Sequence, residues 1–210
     1  MKITLLGAPG AGKGTQAEIL SQTLAVPAIS TGNMLRTAIA EKTTLGLRVE
    51  DILKRGDLVD DDTIFGILQE RIAMPDCSGG YILDGVPRTD GQAHLMEVRG
   101  IEVQTCLFFD IADAEVVNRL SGRRSCACGA AFHVTANPPK VKGVCDKCGA
   151  TLTIREDDKP ETIQNRLKVF REQTASLVEF YQSRGKLVTI DGGGTVEETT
   201  AHALKALDAN

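Results

Sequence analysis

A glycine-rich turn near the start of the chain carries the residues best suited to bind phosphate. An apolar run, Ile3–Leu6, leads into Gly7-Ala-Pro-Gly-Ala-Gly-Lys-Gly-Thr15, and a stretch of helical period follows. Glycines let successive backbone N–H groups point into one hollow, while the helix N-terminus and Lys13 add positive charge. The alternative is an ordinary turn with a surface lysine, which this spacing disfavours. Strand, glycine turn and helix together predict a nucleotide phosphate site.

The residue after Lys13 departs from the usual pattern of such loops. Ser or Thr commonly follows the lysine and contacts magnesium, whereas here Gly14 stands before Thr15. Thr15 is therefore a weak candidate for a direct magnesium ligand.

Two arginines at helical spacing suggest a site for an anion. On a helix, Arg119 and Arg123 would share one face, and like charges at that spacing cost about 0.2–0.5 kcal/mol. Glu115, one turn earlier, can form a surface ion pair with only one of them. Arg123 is therefore expected to find another anionic partner.

Three further arginines lie close to predicted strand ends or segment boundaries. Arg88 follows a strand end, and Arg155 and Arg166 flank the end of a segment rich in glycine and cysteine. Each alone would be an ordinary solvated arginine. Beside a phosphate loop, the group favours phosphate clamps, because guanidinium forks meet phosphate oxygens in bidentate fashion.

Two cysteine pairs predict a structural metal site. Cys126 and Cys128 form a CxC pair, and Cys145 and Cys148 form a CxxC pair. Paired cysteines separated by a short loop are typical of tetrahedral zinc sites, although four thiolates also accept iron or cobalt. The CxC pair is one residue short, so His133 is a possible substitute for Cys126 or Cys128, although a hydrogen-bonding role within this segment is favoured. Disulfides are the alternative, which the expected reducing compartment disfavours.

Composition indicates a single globular protein with a sizeable core. The chain has 210 residues, 42% of them hydrophobic, and a formal net charge of −4. This charge argues against nucleic-acid binding, and neither a secretory signal nor a membrane-spanning run is recognisable. We therefore expect a cytoplasmic protein without membrane or nucleic-acid partners. Cys77 and Cys106 lie in or beside apolar runs and are expected in the core.

The alternation of apolar runs and helical patterns predicts an α/β fold with a parallel five-stranded sheet flanked by helices. The predicted strands are Ile3–Leu6, Val26–Ile29, Tyr81–Leu83, Cys106–Phe109 and Leu187–Ile190. Because ligands bind beyond the carboxyl ends of such strands, site residues are expected in the following loops.

Two segments interrupt this alternation, and one long helix is predicted after the second. Residues 30–59 and 121–158 are predicted to be inserted mobile domains, which leaves 1–29, 60–120 and 159–210 as the core domain. Asp60 is expected to start a helix. Asp158 is the predicted N-cap of a helix whose apolar stripe runs from Ile163 to Tyr181.

Together these motifs resemble adenylate kinases of the long, bacterial type with a large, metal-binding lid. The residues that carry the resemblance are the glycine turn, Ser30-Thr-Gly-Asn-Met-Leu-Arg36, Leu83-Asp-Gly-Val-Pro-Arg88 with Gln92, Gly122-Arg-Arg124 and Asn137-Pro-Pro139. The resemblance covers essentially the whole chain. It implies a monomeric enzyme that catalyses reversible, magnesium-dependent phosphoryl transfer between ATP and AMP, giving two ADP without a covalent intermediate.

The resemblance also assigns roles to individual residues. Charge stabilisation of the transferring phosphoryl group would fall to Lys13, Arg88, Arg123, Arg155 and Arg166, with Asp84 orienting magnesium. ATP would be bound by Gly10, Ala11, Gly12, Lys13, Gly14, Thr15, Arg119, Arg123, Phe132 and Gly194. AMP would be bound by Thr31, Arg36, Asp57, Leu58, Val59, Gly85, Arg88, Gln92, Arg155 and Arg166. Residues 30–59 would be the AMP-binding insert and 121–158 the lid.

Two positions depart from the family pattern. Asn33 stands where the family usually has Asp, and an amide binds water without adding negative charge. Val86 replaces the usual aromatic residue, which is expected to alter packing behind Arg88 rather than the chemistry.

Three other functions share some of these motifs but fit the sequence less well. A kinase acting on UMP, CMP or GMP differs only in its acceptor, and Thr31 and Gln92 resemble the adenylate branch. A nucleotide- and zinc-binding sensor would bind ATP without turnover and would leave the arginines unexplained. A zinc-ribbon DNA-binding protein conflicts with the negative net charge.

Overall fold

A computed structural model describes residues 1–208 as an α/β protein built on one parallel five-stranded sheet. The sheet strands are β1 (Lys2–Gly7), β2 (Ala28–Ser30), β3 (Tyr81–Asp84), β4 (Thr105–Asp110) and β7 (Leu187–Asp191). Their order is β2-β3-β1-β4-β7, and every neighbouring pair is parallel. The predicted fold class is confirmed. The carboxyl ends of these strands gather at one edge, where Gly7, Ser30 and Asp84 lie close together.

Nine α-helices lie in the described chain. They are α1 (Lys13–Leu24), α2 (Thr31–Ala40), α3 (Thr44–Arg55), α4 (Asp61–Ile72), α5 (Asp90–Val98), α6 (Asp113–Gly122), α7 (Pro160–Val169), α8 (Leu177–Ser183) and α9 (Val196–Asp208). Side chains of Ser30, Thr43, Asp60 and Thr89 accept hydrogen bonds from the first turns of α2 to α5, which fixes where these helices begin. The predicted helix start at Asp60 is confirmed.

The core divides between the two faces of the sheet. One apolar cluster includes Leu83 on β3 and Phe65 on α4, and a second includes Ile3 on β1 and Leu20 on α1. A smaller cluster joins Ala8 of the glycine turn to α6 and α7, so the turn is packed directly against the protein interior. Cys77 and Cys106 are both buried, as predicted. No helix within residues 1–208 has the length and apolar character needed to span a membrane.

Both predicted inserts have structure of their own. Residues 30–59 contain α2 and α3, which pack against each other. Residues 121–158 contain the antiparallel strands β5 (Arg123–Ser125) and β6 (Ala131–His133), bridged further by Ser125 to Thr153 and by Val144 to Thr151. The apolar core of this second segment is very small, with Cys126, Ala130, Cys145 and Leu152 packed beside Phe132. The mobility and the boundaries of both inserts stay predictions.

Three predictions about the elements were wrong in detail. Strand β2 begins at Ala28 instead of Val26. The long helix after residue 159 is interrupted by a π-helical turn at Phe170–Thr174, so its apolar stripe is shared by α7 and α8. Helix α6 ends at Gly122, and Arg123 is extended, so Arg119 and Arg123 do not share a helical face. A Cβ on Gly122 would overlap the imidazole of His133, so only glycine fits at the last position of this helix.

Candidate active site

The glycine turn folds into a cradle with Lys13 at its centre. Gly10 and Gly12 have φ of +84° and +92°, and a Cβ on Gly10 would lie 2.9 Å from Cγ of Leu120. At Gly10, only glycine both adopts a positive φ without strain and leaves room for Leu120. Lys13 Nζ donates hydrogen bonds to the carbonyls of Gly7 (2.7 Å) and Ala8 (2.8 Å). These contacts fold the ammonium back over the turn, beside the N-terminus of α1.

Lys13 lies in an environment that disfavours its own charge. Burial, with further repulsion from Arg88, Arg166 and Arg123, lowers its pKa from 10.5 to about 8, although Asp84 opposes the shift. A phosphate group bound in the cradle would supply negative charge to balance the buried Lys13 ammonium.

Five guanidinium groups from distant parts of the chain form one cluster, three of whose members act directly on Lys13. They belong to Arg36 on α2, Arg88 after β3, Arg123 on β5, Arg155 at the end of the second insert and Arg166 on α7. Burial is the main cause that lowers the pKa of Arg36 to about 10 and that of Arg155 to about 9, and neighbouring arginines lower both further. Guanidinium groups stay charged at neutral pH, so these shifts measure how poorly the positive charges are compensated.

Two acidic residues that sequence reasoning missed lie inside this cluster. Asp158 is fully buried and accepts hydrogen bonds from Arg123 Nε (2.7 Å) and Nη2 (2.5 Å) and from Arg166 Nη1 (3.0 Å). Asp157 lies 3.2 Å from Arg166. Burial alone would raise the pKa of Asp157, but the surrounding guanidinium groups lower it. Asp158 is therefore the expected partner of Arg123.

The prediction that Asp158 caps α7 was wrong. Lys159 is the N-cap, and no side chain of the described residues caps this helix. The signal that could have revealed the pairing is the run Glu156-Asp157-Asp158, since three consecutive acids exceed what one helix start needs. The predicted pair between Arg119 and Glu115 is confirmed at 3.1 Å.

The loop after β3 is rigidly held beside the arginine cluster. Arg88 Nε donates to the carbonyl of Gly85 (2.9 Å), and its backbone N–H donates to Oε1 of Gln92 (2.7 Å). Gln92 is buried and also donates to Asp61 (2.8 Å), while Thr31 donates to Gly85 O (3.1 Å). A Cβ on Gly85 would lie 2.9 Å from the Thr31 hydroxyl, which explains a glycine with φ of +90° here.

The remaining residues assigned to the acceptor side lie between the first insert and α7. Val59 is buried in the main core, and Leu58 is half-buried. The Asp57 carboxylate accepts hydrogen bonds from Arg55 (2.9 Å) and Asn165 (3.0 Å). Its side chain is thus occupied, which leaves the backbone of 57–59 as the available surface.

Asp84 ends β3 directly beside the phosphate cradle. Its Oδ2 accepts a hydrogen bond from the Ser30 hydroxyl (3.2 Å) and lies 3.6 Å from where a Cβ on Gly14 would be. The glycine after Lys13 therefore keeps open the space between this carboxylate and the cradle. Thr15 is exposed on α1.

The other three residues assigned to ATP are Arg119, Phe132 and Gly194. Arg119 is close to the cradle, since its Nη1 lies 4.0 Å from the Cβ position of Gly12. Phe132 pairs with Arg124 across β5 and β6 and packs against the small core of the second insert. Gly194 lies between β7 and α9, where a Cβ would lie 3.0 Å from a Glu198 carboxylate oxygen.

Four thiols form a compact cluster in the second insert. The sulfur atoms of Cys126, Cys128, Cys145 and Cys148 all lie within 4.8 Å of one another. Cys126 Sγ is 3.4 Å from Cys148 Sγ, and Cys128 Sγ is 3.7 Å from Cys145 Sγ. Metal–sulfur bonds of about 2.3 Å in a tetrahedron place sulfurs about 3.8 Å apart, so this donor set fits a structural metal.

His133 is not part of this cluster and forms hydrogen bonds within the second insert, the role that the sequence favoured. Its Nδ1 accepts hydrogen bonds from the backbone N–H groups of Thr135 (3.2 Å) and Ala136 (3.1 Å). Its Nε2 is buried beside Gly122 without a partner in the described chain. The shortened CxC pair supplies both of its thiols without help from histidine.

The second insert lies closed over the rest of the site. Lys147 Nζ, near the thiol cluster, is 3.1 Å from a Glu18 carboxylate oxygen on α1. Arg155 Nε donates to the buried Ser125 hydroxyl (2.7 Å), which ties this guanidinium to β5. A row of phosphates between the cradle and Arg36 would therefore be enclosed by positive charge and shielded from water. This arrangement suits transfer of a phosphoryl group between two nucleotides.

Comparisons with known proteins identify the family. The family model described as adenylate kinase matches residues 5–186. An adenylate kinase of Lachnospira eligens is 43% identical over 212 residues, which covers 99% of this chain and 100% of the relative. Adenylate kinases of Trichlorobacter lovleyi and Oceanobacillus iheyensis are 45% and 47% identical, over 99% and 91% of this chain and 99% and 92% of their own lengths. The chain belongs to the adenylate kinase family.

Proposed function

We propose that this enzyme transfers the terminal phosphoryl group of ATP to AMP, reversibly, through the charged cluster around Lys13. The supporting observation is the cluster formed by Lys13 and five arginines, drawn from the core and both inserts. Among the described residues, only three carboxylates, those of Asp84, Asp157 and Asp158, neighbour these six cations. The excess positive charge suits the negative charge of two adjoining polyphosphates.

The two nucleotides would approach this cluster from opposite sides. The cradle from Gly10 to Thr15 would hold the phosphates of ATP, with Arg119, Phe132 and Gly194 arranged around its nucleoside. Arg36 and Arg88 would hold the AMP phosphate, supported by Thr31, Gly85 and Gln92 and by the backbone of 57–59. Arg123, Arg155 and Arg166 would stabilise charge on the phosphoryl group as it moves between them.

Catalysis in this arrangement is positioning and charge stabilisation. No side chain needs to form a covalent intermediate, because the acceptor phosphate of AMP attacks the donor phosphorus directly. Residues 30–59 and 121–158 would open to admit substrates and close to exclude water, which would otherwise hydrolyse ATP. Contacts across the closed edges, such as Lys147 with Glu18, are exposed ion pairs that break easily.

Magnesium would be bound with ATP, where it neutralises phosphate charge. Asp84 offers a carboxylate beside the cradle, and oxygen ligands of this kind suit the ion. We assign Asp84 the task of orienting magnesium through its water shell. Asn33 would contribute no charge to that shell.

The thiol cluster would hold a structural metal, zinc in the first place, with iron or cobalt as alternatives. Its role would be to replace the apolar core that the second insert lacks. Four free thiols also suit a reducing compartment, so we place the enzyme in the cytoplasm. We further propose that it acts as a monomer on ATP, AMP and ADP, without nucleic-acid or membrane partners.

A coupled assay of ADP formation from ATP, with AMP, UMP, CMP or GMP as acceptor, tests the proposed reaction. AMP should support turnover far better than the other acceptors. Preference for another acceptor would overturn the substrate assignment, and ATP binding without turnover would overturn the enzymatic one.

Replacing one arginine tests the proposed roles of the cluster. Arg123→Ala should lower kcat by about 10²-fold or more, as expected for loss of one donor that stabilises a transition state. Arg171→Ala is the matched control, because Arg171 is exposed and pairs with Asp113 at 2.8 Å. Near-normal kcat for Arg123→Ala would contradict the role assigned to that residue.

A further inference from the structure

Arg155 lies in the arginine cluster without a carboxylate partner of its own. Arg123 and Arg166 both form ion pairs with the buried Asp158, at 2.5 and 3.0 Å. Within residues 1–208, by contrast, no carboxylate oxygen forms an ion pair with Arg155. The hydrogen bond that its side chain makes in this part of the chain runs from Nε to Oγ of Ser125, at 2.7 Å. Its two terminal nitrogens, Nη1 and Nη2, are therefore left for a ligand.

The backbone on both sides of Ser125 holds this contact in place. Ser125 ends β5 and is 6% exposed. Its N–H donates to the carbonyl of Thr153 (2.8 Å), and the N–H of Thr153 donates to the carbonyl of Ser125 (2.9 Å). On its other side, Ser125 pairs with Ala131 of β6. Because Thr153 lies two residues before Arg155, this antiparallel bridge fixes the serine hydroxyl relative to the guanidinium.

The Ser125 hydroxyl serves Arg155 and leaves the strand pairing to the backbone. Arginine offers donors only, so the hydroxyl oxygen must be the acceptor in this pair. The two hydrogen bonds with Thr153 use only backbone atoms, so they do not need the hydroxyl. A neutral oxygen also satisfies Nε without pairing the guanidinium with a negative charge, as Asp158 does for its two arginines. The positive charge of Arg155 is therefore kept for phosphate.

We propose that Ser125 is a positioning residue for phosphoryl transfer, whose hydroxyl holds Nε of Arg155 so that the two terminal nitrogens point toward the phosphoryl group. This proposal rests on the role proposed above for Arg155. Without the acceptor, the guanidinium would be free to rotate about its last side-chain bonds. Since Arg155 is assigned to charge that develops during transfer, the loss should appear in kcat and leave KM largely unchanged.

Substitutions at residue 125 isolate the hydroxyl. Ser125→Ala should lower kcat about 5- to 20-fold, as expected for loss of one hydrogen bond to a charged group, with KM for ATP and for AMP within about twofold of the parent. Ser125→Thr and Ser125→Val have nearly the same shape and differ in the hydroxyl, so the threonine variant should be faster than the valine variant by a similar factor. This pair separates the hydroxyl from any effect of the added methyl group.

Ser121→Ala is the matched control for loss of a serine hydroxyl. Ser121 is exposed on α6, and its hydroxyl donates to the carbonyl of Val117 (2.8 Å). This variant should keep the parental kcat. Unchanged kcat in Ser125→Ala, or equal kcat in Ser125→Thr and Ser125→Val, would overturn the proposal.

A double-mutant cycle with Arg155→Ala tests whether Ser125 acts through that arginine. In the Arg155→Ala background, Ser125→Ala should change kcat by less than about twofold, because the effects of two residues in direct contact are not additive. An equal fold loss in both backgrounds would show that the serine supports the fold of the second insert and would overturn the proposal. If Arg155→Ala alone leaves kcat unchanged, the proposal fails together with the role of Arg155. The proposed reaction would still stand in that case, provided that the parent enzyme turns over ATP with AMP.

Discussion

At the scale of single residues, Lys13 is a group whose protonation a bound nucleotide should change. Burial and three nearby arginines lower its pKa to about 8, against 10.5 for an ordinary lysine. Between these values the unfolded chain binds the proton and the folded chain does not. Lys13 therefore makes stability rise with pH over that range, while at lower pH the cost of its buried charge is fully present.

A bound phosphate reverses this shift, which predicts proton uptake on binding. At pH 9 the free enzyme has largely deprotonated Lys13, and the bound enzyme should regain the proton; at pH 7 no uptake is expected from this group. Calorimetric titration with ATP in two buffers of different ionisation enthalpy measures the uptake. Affinity should correspondingly weaken as the pH rises above about 8, the pKa of the free enzyme.

Lys13→Met should abolish the uptake at pH 9, because the guanidinium groups of the cluster stay charged at that pH. Lys205→Met is the control, since Lys205 is exposed on α9. Undiminished uptake in Lys13→Met would assign the proton to another group.

Asp158 is the residue whose loss should cost most in the free enzyme. It is fully buried between Arg123 and Arg166, and removing one partner of a buried ion pair costs about 3–5 kcal/mol. Asp158→Asn should therefore lower Tm without nucleotide, and saturating ADP should restore more stability than in the parent, because phosphates supply the missing charge. Asp113→Asn, at an exposed pair, should change little. A parental Tm for Asp158→Asn would refute this account.

Sequence reasoning identified residues whose chemistry depends on local spacing and missed those that depend on folding. The glycine turn and the pair of Glu115 with Arg119 are local, so spacing alone predicts them. Asp158 lies 35 positions from Arg123, near the opposite end of the second insert, and the fold of that segment brings the two together. An aspartate two residues before a proline, such as Asp158, can act either as a helix N-cap or as an ion-pair partner. The local sequence does not decide between these two roles.

At the scale of elements, two glycines inside helices differ in whether the structure has room for a side chain at their positions. Gly66 lies exposed in the middle of α4 with open space around it, whereas a Cβ on Gly46 in α3 would overlap the carbonyl of Ala38. Gly66→Ala should raise the free energy of unfolding by about 0.5–1 kcal/mol, and Gly46→Ala should lower it by about 1–3 kcal/mol. Urea unfolding measures both, and each variant controls for the other. Equal effects would contradict the packing of α2 on α3.

Element types were predicted better than element ends. Apolar runs correctly predicted all five sheet strands, because buried parallel strands leave a strong local signal. The end of α6 at Gly122 was not predicted, because Arg123 leaves the helix to begin β5, whose pairing with β6 depends on residues further along the chain. The π-helical turn at Phe170–Thr174 leaves the apolar stripe almost intact, so periodicity alone gave one helix.

At the scale of the whole molecule, negative net charge and a positive site coexist. The chain carries a formal charge of −4, yet six cations face three carboxylates in the enclosed cluster. The motifs predicted that arginines from both inserts and from the core would gather near the cradle, but they did not predict the carboxylates of Asp157 and Asp158 among them. The cationic cluster is therefore built jointly by both inserts and the core.

The thiol cluster links metal binding to this assembly, which gives a prediction for the whole molecule. The second insert has almost no apolar core, whereas the clusters around the sheet contain none of its residues. Removing the metal should unfold residues 121–158 and leave the core folded. Because Arg123 and Arg155 lie in that segment, activity should fall with it. Elemental analysis should find about one metal ion per chain, as expected for a closed four-thiolate site.

Cys145→Ser tests this link, because Cys145 is the most deeply buried of the four thiols. The variant should lose the metal, become sensitive to trypsin at Lys140 and Lys142, and keep most of its helical circular dichroism. Cys77→Ala is the matched control: it removes a buried thiol from the main core, so it should lower stability and retain the metal. A metal-free parent enzyme whose second insert resists trypsin would show that the insert is held by its hydrogen bonds alone.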